Sequence, residues 1–220
     1  MSMRKRLLKH GTGPVSDALD KGGAMDHQIR PWSANSKMAG PAFTVQVHTA
    51  DILMVSKALA ECPAGHVLVI DGHGEKNTAL WGGLTTMSAL RKEMAGVVVD
   101  GAIRDLADIR ASQLPVFARA VVPNAGGAQY VGKLQVPVAC GGMVVHPGDW
   151  LVGDDDGVVV IPAARLEEAL ETATRIVQAE KRIAKAIQAG VDVATLLRVD
   201  ETLERKALEI FVPQLHVEKK

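Results

Sequence analysis

The 220-residue chain is 47% hydrophobic and 23% charged, and its 25 basic and 25 acidic side chains give a formal charge of zero. That balance offers no global attraction for nucleic acid or an acidic membrane, and the length suits one domain, 1–220, with a substantial core. No apolar run reaches the roughly 20 residues that a bilayer span requires, and the basic start MSMRKRLLKHG lacks the apolar centre of a signal peptide. A soluble cytoplasmic protein is expected.

In chain order, GTGPVSDALDK predicts a short helix with Thr12 as cap, Pro14 near its start, and Val15, Ala18 and Leu19 at helical spacing. AFTVQVHT alternates Phe43, Val45 and Val47 against Thr44, Gln46 and His48, the period of a half-buried strand. DILMVSKALAE predicts a helix capped by Asp51, with Leu53, Met54, Ala58 and Leu59 inward, before the compact strand HVLVIDG. The helix LWGGLTTMSALRKEMAG leads into the strand VVVDG, so a right-handed parallel strand-helix-strand unit is expected.

Beyond it, PVFARAVVP and LQVPVACGGMVVHPGDWLVGDDDGVVVIP read as short strands broken by Gly, Pro and Asp, the grammar of antiparallel pairing. From Ala163 to about Gln188, Leu166, Leu170, Ala173, Ile176 and Val177 line one face of a charged helix. A tail helix over about Val193 to Ile210 follows the break at Gly190. Both helices suit docking on the core or on a neighbouring subunit. No internal repeat, low-complexity tract or linker divides the chain.

The chemistry concentrates in GVVVDGAIRDLAD, where an apolar strand runs into Arg104, Asp105 and Asp108. An arginine at the carboxyl end of a parallel strand sits where ligands bind in α/β folds, and its planar fork suits a carboxylate. Asp105 either neutralises Arg104 or offers hard oxygens to magnesium or manganese. Asp108 either holds waters of such an ion or is a first-turn acid favoured by the helix dipole. In ALWGGLTT, Gly82 and Gly83 open a helix whose uncovered N–H groups could hold an anion, although glycine pairs there also serve purely steric needs.

Other features read more plainly. GDDDG lacks the ligand spacing of a calcium loop and reads as a tight turn, and PNAGGAQ, Pro123 to Gln129, reads as a surface loop near the site or a phosphate wrapper. His48, His66 and His73 show no metal-ligand spacing; His73 is the one that could touch substrate. Asp71 and Asp100 each read as a turn residue closing a strand before Gly, with Asp100 the better functional candidate beside the motif. Cys62 and Cys140 fit neither a disulfide framework nor a zinc pattern, and read as buried small hydrophobes in a reducing compartment.

Gly83, twenty intervening residues, Arg104-Asp105 and then Asp108 resemble the G-x20-R-D-x2-E/D signature of the RraA-like family. That family includes the class II 4-hydroxy-4-methyl-2-oxoglutarate / 4-carboxy-4-hydroxy-2-oxoadipate aldolases. VSDALD, GPAFTVQVHTAD, VLVIDG, GVVVDGAIRD and VHPGDWLVGDDDGVVVIP resemble family segments in family order over about residues 12 to 165. The resemblance implies a mixed-sheet α/β fold of the swivelling β/β/α type, one domain with a C-terminal helical extension over about 163–212. It also implies a homotrimer or a dimer of trimers with active sites at subunit boundaries.

By the same resemblance, a divalent metal, usually Mg2+, is held by Asp105 and, through waters, by Asp108. Arg104 and the amides of Gly83, Leu84 and Thr85 hold the pyruvate part of a small 2-oxo acid. Aldol cleavage and oxaloacetate decarboxylation then share one pyruvate enolate, stabilised by metal and guanidinium without a lysine Schiff base. Some aldolases of the family carry an acid where this chain has Gly83, and some use a tail acid of a neighbouring subunit, to which neither Glu201 nor Glu204 is matched by motif. The alternative role in the family is binding and inhibition of RNase E; the regulator that names the family lacks the Arg-Asp pair, which is intact here. A methyltransferase label, also used in the family, would call for a glycine-rich nucleotide turn that this sequence does not show.

Overall fold

The computed structural model describes residues 2–211, with side chains to Lys206. The chain divides into a compact unit through Thr174 and a helical unit from Arg175. The first opens with α1 (Met3–His10), unanticipated from its basic sequence, in which Leu7 is fully buried. Next comes α2 (Thr12–Ala18). Thr12 is its first helical residue and not its cap: the Thr12 N–H and hydroxyl both donate to Asp154, at 2.8 and 2.7 Å.

The sheet is built from β1 (Arg30–Pro31), β2 (Met38–Gln46), β3 (Val67–Trp81), β4 (Gly96–Ile103) and β5 (Val116–Val121). Between them lie α3 (Leu53–Glu61), α4 (Gly83–Arg91) and α5 (Leu106–Ala111). Strands β2, β3, β4 and β5 pair in parallel, one after another. β5 is therefore a correction to the antiparallel expectation: α5 is the crossover that parallel pairing needs, short enough to be masked by the motif around it.

Further on come β6 (Lys133–Leu134), β7 (Val138–Cys140), β8 (Met143–Val145), β9 (Trp150–Asp154) and β10 (Gly157–Ile161). Here the antiparallel expectation holds: β7 pairs with β8, β10 with β9, and β9 with β2. Asp155 and Asp156 form the tight turn of the β9–β10 hairpin. The result is an eight-stranded, mixed sheet with a parallel centre.

Both faces of that centre are covered. Phe43, Val45, Leu68, Ile70, Val97 and Val99 pack with Val55, Leu59, Ala89 and Ile109 of the helices. The alternate residues Ala42, Val67, Val69, Val98 and Phe117 pack with Val138, Cys140, Leu151, Val158 and Val160. Strands buried on two faces read as continuous apolar runs. For the same reason β2 is not half-buried: Thr44 is fully buried and donates its hydroxyl to Val136 O at 2.6 Å.

β3 extends well past the expected end at Gly72. Positive φ at His73 (58°) and Gly74 (71°) throws out a bulge, and Ala79 and Trp81 then rejoin β4 opposite Ala102 and Ile103. Leu80 and Trp81, expected in the helix, are thus strand residues, and α4 starts two residues later. Asp71 and Asp100 lie inside strands instead of closing them.

α6 (Leu166–Gln188) follows a single 3-10 turn, and Leu166, Ala169, Leu170 and Ala173 are its buried residues. In the second unit the expected tail helix is split into α7 (Val193–Leu196) and α8 (Val199–Phe211) by Arg198 at φ 50°. No described helix is long and apolar enough to cross a membrane.

Candidate active site

Because Trp81 and Ile103 are register partners at the ends of β3 and β4, the starts of α4 and α5 are neighbours at one carboxyl edge of the sheet. That edge is where α/β folds bind ligands. The Arg104 N–H donates to Trp81 O at 2.9 Å, which locks the two strand ends together just as the chain turns outward.

Asp105 takes the left-handed conformation, φ 56° and ψ 46°, which is uncommon for a non-glycine residue and clusters at functional sites. It stands at the cap position of α5 without capping it. Its Oδ2 instead accepts the Gly83 N–H at 2.9 Å across the strand ends. Arg104 Nε lies 3.6 Å from the same oxygen, with both side chains about two-fifths exposed, so this pair contributes little. Among the described residues no hydrogen bond engages the two terminal nitrogens of Arg104, and the fork is open to a ligand.

At the start of α4 the first intrahelical bond is Thr86 N–H to Gly82 O, 3.0 Å. The N–H groups of Leu84 and Thr85 precede it and have no carbonyl in their own helix to bond. Thr85 Oγ1 accepts the Gly82 N–H at 2.9 Å, and the buried Trp81 Nε1 donates to Thr86 Oγ1 at 2.8 Å, so the turn is rigidly held. Arg104, Asp105, Leu84 and Thr85 line one cavity of about 180 Å³, together with the apolar Ile52, Ala79 and Ala125.

Asp108, in the first turn of α5, closes on Gly83 from the outside. A Cβ built on Gly83 would lie 2.6 Å from Asp108 Oδ2 and 3.4 Å from Asp105 Cβ. The space that an acid at position 83 would occupy is therefore already filled by Asp108. Two carboxylates about one glycine match the donor set of a magnesium ion that keeps several waters. Among the described residues no group of three or more His, Cys, Asp or Glu is placed to hold a metal, so the site is no closed protein cage.

The remaining candidates lie elsewhere. His73 Nε2 faces Val47 O at 2.9 Å and its Nδ1 faces Asp71 at 3.3 Å, away from the cavity lining. Asp100 is a structural acid: it pairs with Arg119 and accepts the Gly141 N–H at 2.8 Å, while Arg119 also reaches Asp26 at 2.8 Å. The Asp100 bond pushes the Arg119 pKa up against the effect of burial. Both cysteines are buried, and burial raises the Cys62 thiol to about 12, which makes it inert. Glu201 is exposed and 3.6 Å from Arg198.

In the sequence Asp51 reads only as a helix cap. Its carboxylate is buried and accepts N–H groups from Leu53 at 2.9 Å, Gln129 at 2.7 Å and Tyr130 at 3.2 Å. Burial works to raise its pKa, but these donors and the nearby His48 hold it below the ordinary value. A depressed folded pKa contributes stability that is present above the unfolded value of about 4 and lost as pH falls through the folded one. Denaturation midpoints measured across that acid range should therefore fall more steeply for the wild type than for Asp51→Asn, which has no carboxyl to titrate there.

A protein-family model described as Aldolase/RraA, RraA-like, matches residues 12–160. The 4-hydroxy-4-methyl-2-oxoglutarate aldolase of Thermus thermophilus is 35% identical over 151 residues, covering 69% of this chain and 92% of that protein. A Halalkalibacterium halodurans protein provisionally named for the same aldolase is 41% identical over 161 residues, 73% of this chain and 77% of its own. The structure of the RNA-processing inhibitor RraA from Thermus thermophilis superposes with a TM-score of 0.62 at 35% identity, covering 67% of this chain and 89% of that one. A β3–α4–β4–α5 edge carrying Gly83, Arg104, Asp105 and Asp108, on a mixed sheet with a parallel centre, thus agrees with the sequence match, and the chain belongs to the RraA-like family.

Proposed function

We propose that this chain is a divalent-metal-dependent carbon-carbon lyase acting on a 4-hydroxy-2-oxo acid, the class that includes 4-hydroxy-4-methyl-2-oxoglutarate, and that it also decarboxylates oxaloacetate. The observation that carries this reading is the open Arg104 fork beside the Leu84 and Thr85 amides in one small cavity. In the lyase reaction the C3–C4 bond breaks as the 4-hydroxyl loses its proton, giving a carbonyl product and the pyruvate enolate, which takes up a proton at C3. With oxaloacetate, CO2 leaves and the same enolate forms.

Arg104 pairs with the pyruvyl carboxylate and with the charge that develops on the enolate oxygen, and the Leu84 and Thr85 amides orient that end of the substrate. Asp105, and Asp108 through waters, would hold Mg2+ or Mn2+, which when bound supplies Lewis-acid stabilisation of the enolate charge. Asp105 also keeps the Gly83 turn in place through its bond to that N–H. Assembly as a homotrimer or a dimer of trimers is what the family resemblance implies, and the exposed Leu84, Met87 and Leu90 on α4, beside Asp105, offer an apolar surface for a neighbouring subunit to cover.

Pyruvate release from oxaloacetate and from 4-hydroxy-4-methyl-2-oxoglutarate, with magnesium, with manganese and after chelation, tests the reading. Metal-dependent release is expected, and Asp105→Ala should lose both the activity and its response to metal. No release by folded, metal-supplied protein would favour the second reading, a binding role like that of the Thermus RNA-processing inhibitor. Inhibition of RNase E by the purified chain would then be the result to look for.

A further inference from the structure

Between β5 and β6 the loop of residues 122–132 doubles back along the cavity. Its first half is stitched to the end of β3: the Ala79 N–H donates to Asn124 O at 2.9 Å and the Gly126 N–H to Ala79 O at 3.2 Å, while Asn124 Nδ2 donates to Asn77 O. Its middle is stitched to the segment before α3: the Gly127 N–H donates to Ala50 O at 2.9 Å and the Ile52 N–H to Gly127 O at 2.7 Å. The approach is close enough that a Cβ on Gly126 would lie 2.5 Å from Ala50 O, so only glycine fits. This path brings Ala125 into the lining of the Arg104 cavity, with Ala79 and Ile52.

What fixes the far half of the loop is a side chain. Asp51 Oδ2 takes the Gln129 and Tyr130 N–H groups while Oδ1 takes that of Leu53 at the start of α3. One buried carboxylate thereby ties the loop to the helix, and the Tyr130 ring tilts against His48 at 5.1 Å. The choice of acid over amide follows from the donors: three N–H groups converge, a carboxylate accepts all of them, and an asparagine would turn an NH2 toward at least one.

We infer that Asp51 is a positioning residue of the active site, clamping the loop of residues 122–132 so that Ala125 forms a fixed wall of the substrate cavity. Asp51 touches no substrate itself. The inference rests on the enolate-lyase reading, because it takes the Arg104 cavity as the substrate site. A wall that meets the substrate equally in the ground state and the transition state acts on KM and leaves kcat nearly unchanged.

The test compares Asp51→Asn, Ala125→Val and Asp149→Asn with the wild type, by steady-state pyruvate release from oxaloacetate with magnesium and by amide hydrogen exchange. Asp149 is the control: it too is buried and accepts two backbone N–H groups, from His146 at 2.8 Å and Ala163 at 2.9 Å, but lies outside the cavity lining. Asp51→Asn should raise KM by about tenfold with kcat within about twofold, and exchange at 122–132 should quicken. Ala125→Val should raise KM with exchange unchanged, which keeps the wall testable even if Asp51→Asn folds poorly. Asp149→Asn should alter neither KM nor exchange at 122–132.

An unchanged KM in Asp51→Asn, or the same rise in Asp149→Asn, would overturn the positioning role while wild-type turnover leaves the lyase reading standing. An unchanged KM in Ala125→Val would remove the wall. A wild type that releases no pyruvate overturns the lyase reading and this inference with it.

Discussion

Arg104→Ala should lower kcat/KM for pyruvate release by about two to three orders of magnitude, the size of effect seen when a preorganised donor to a developing oxyanion is removed. Arg104→Lys should recover only a small part, because an ammonium supplies charge without the two parallel bonds that a guanidinium makes to a carboxylate. The fold should be indifferent. The Arg104 side chain is about two-fifths exposed, its contact to Asp105 is a loose 3.6 Å, and the bond that locks the strand ends uses its backbone N–H. Unchanged denaturation midpoints alongside lost turnover would therefore separate chemistry from stability. Near-wild-type turnover in Arg104→Ala would remove the guanidinium from the site.

Arg119→Met should have the opposite profile, a large loss of stability. Arg119 is almost buried between Asp100 and Asp26, and Asp100 is itself buried while holding the Gly141 N–H. Removing one partner of a buried ion pair leaves an uncompensated charge, at a cost of about 3–5 kcal/mol. For a chain of this length that corresponds to a fall in Tm of roughly 10 °C. Urea unfolding measures the loss directly. The double variant Arg119→Met/Asp100→Asn should regain part of it, since the amide oxygen still accepts the Gly141 N–H and no charge is left on β4. If Arg119→Met unfolds at the wild-type midpoint, the network contributes nothing to the fold.

Arg119 also marks the limit of reading by pattern. PVFARAVVP reads only as a short strand, yet β5 lies between β4 and β1 and its arginine is almost buried against two acids. A charge in an otherwise apolar strand is the available signal, since such a group must find partners. The partners themselves come from 93 and 19 residues away. Thr44 was obscured in the same way: its alternation with Phe43 and Val45 suggests solvent, and only the cover from Val136 and its neighbours makes it core.

What the sequence determined by itself was whatever depends on near neighbours: the α6 stripe, the GDDDG turn, the apolar core of β4, and the spacing that named Gly83, Arg104, Asp105 and Asp108. Tertiary structure decided the rest. The bulge in β3 sets the Trp81–Ile103 register, that register makes the Gly83 and Asp105 turns neighbours, and the left-handed Asp105 can then reach the Gly83 N–H. The loop of residues 122–132 came to the cavity through Ala79, Ala50 and Asp51, each distant in sequence. Helical and turn preferences are properties of a few consecutive residues, whereas strand partner, register and buried charge pairing depend on segments that only the folded chain brings together.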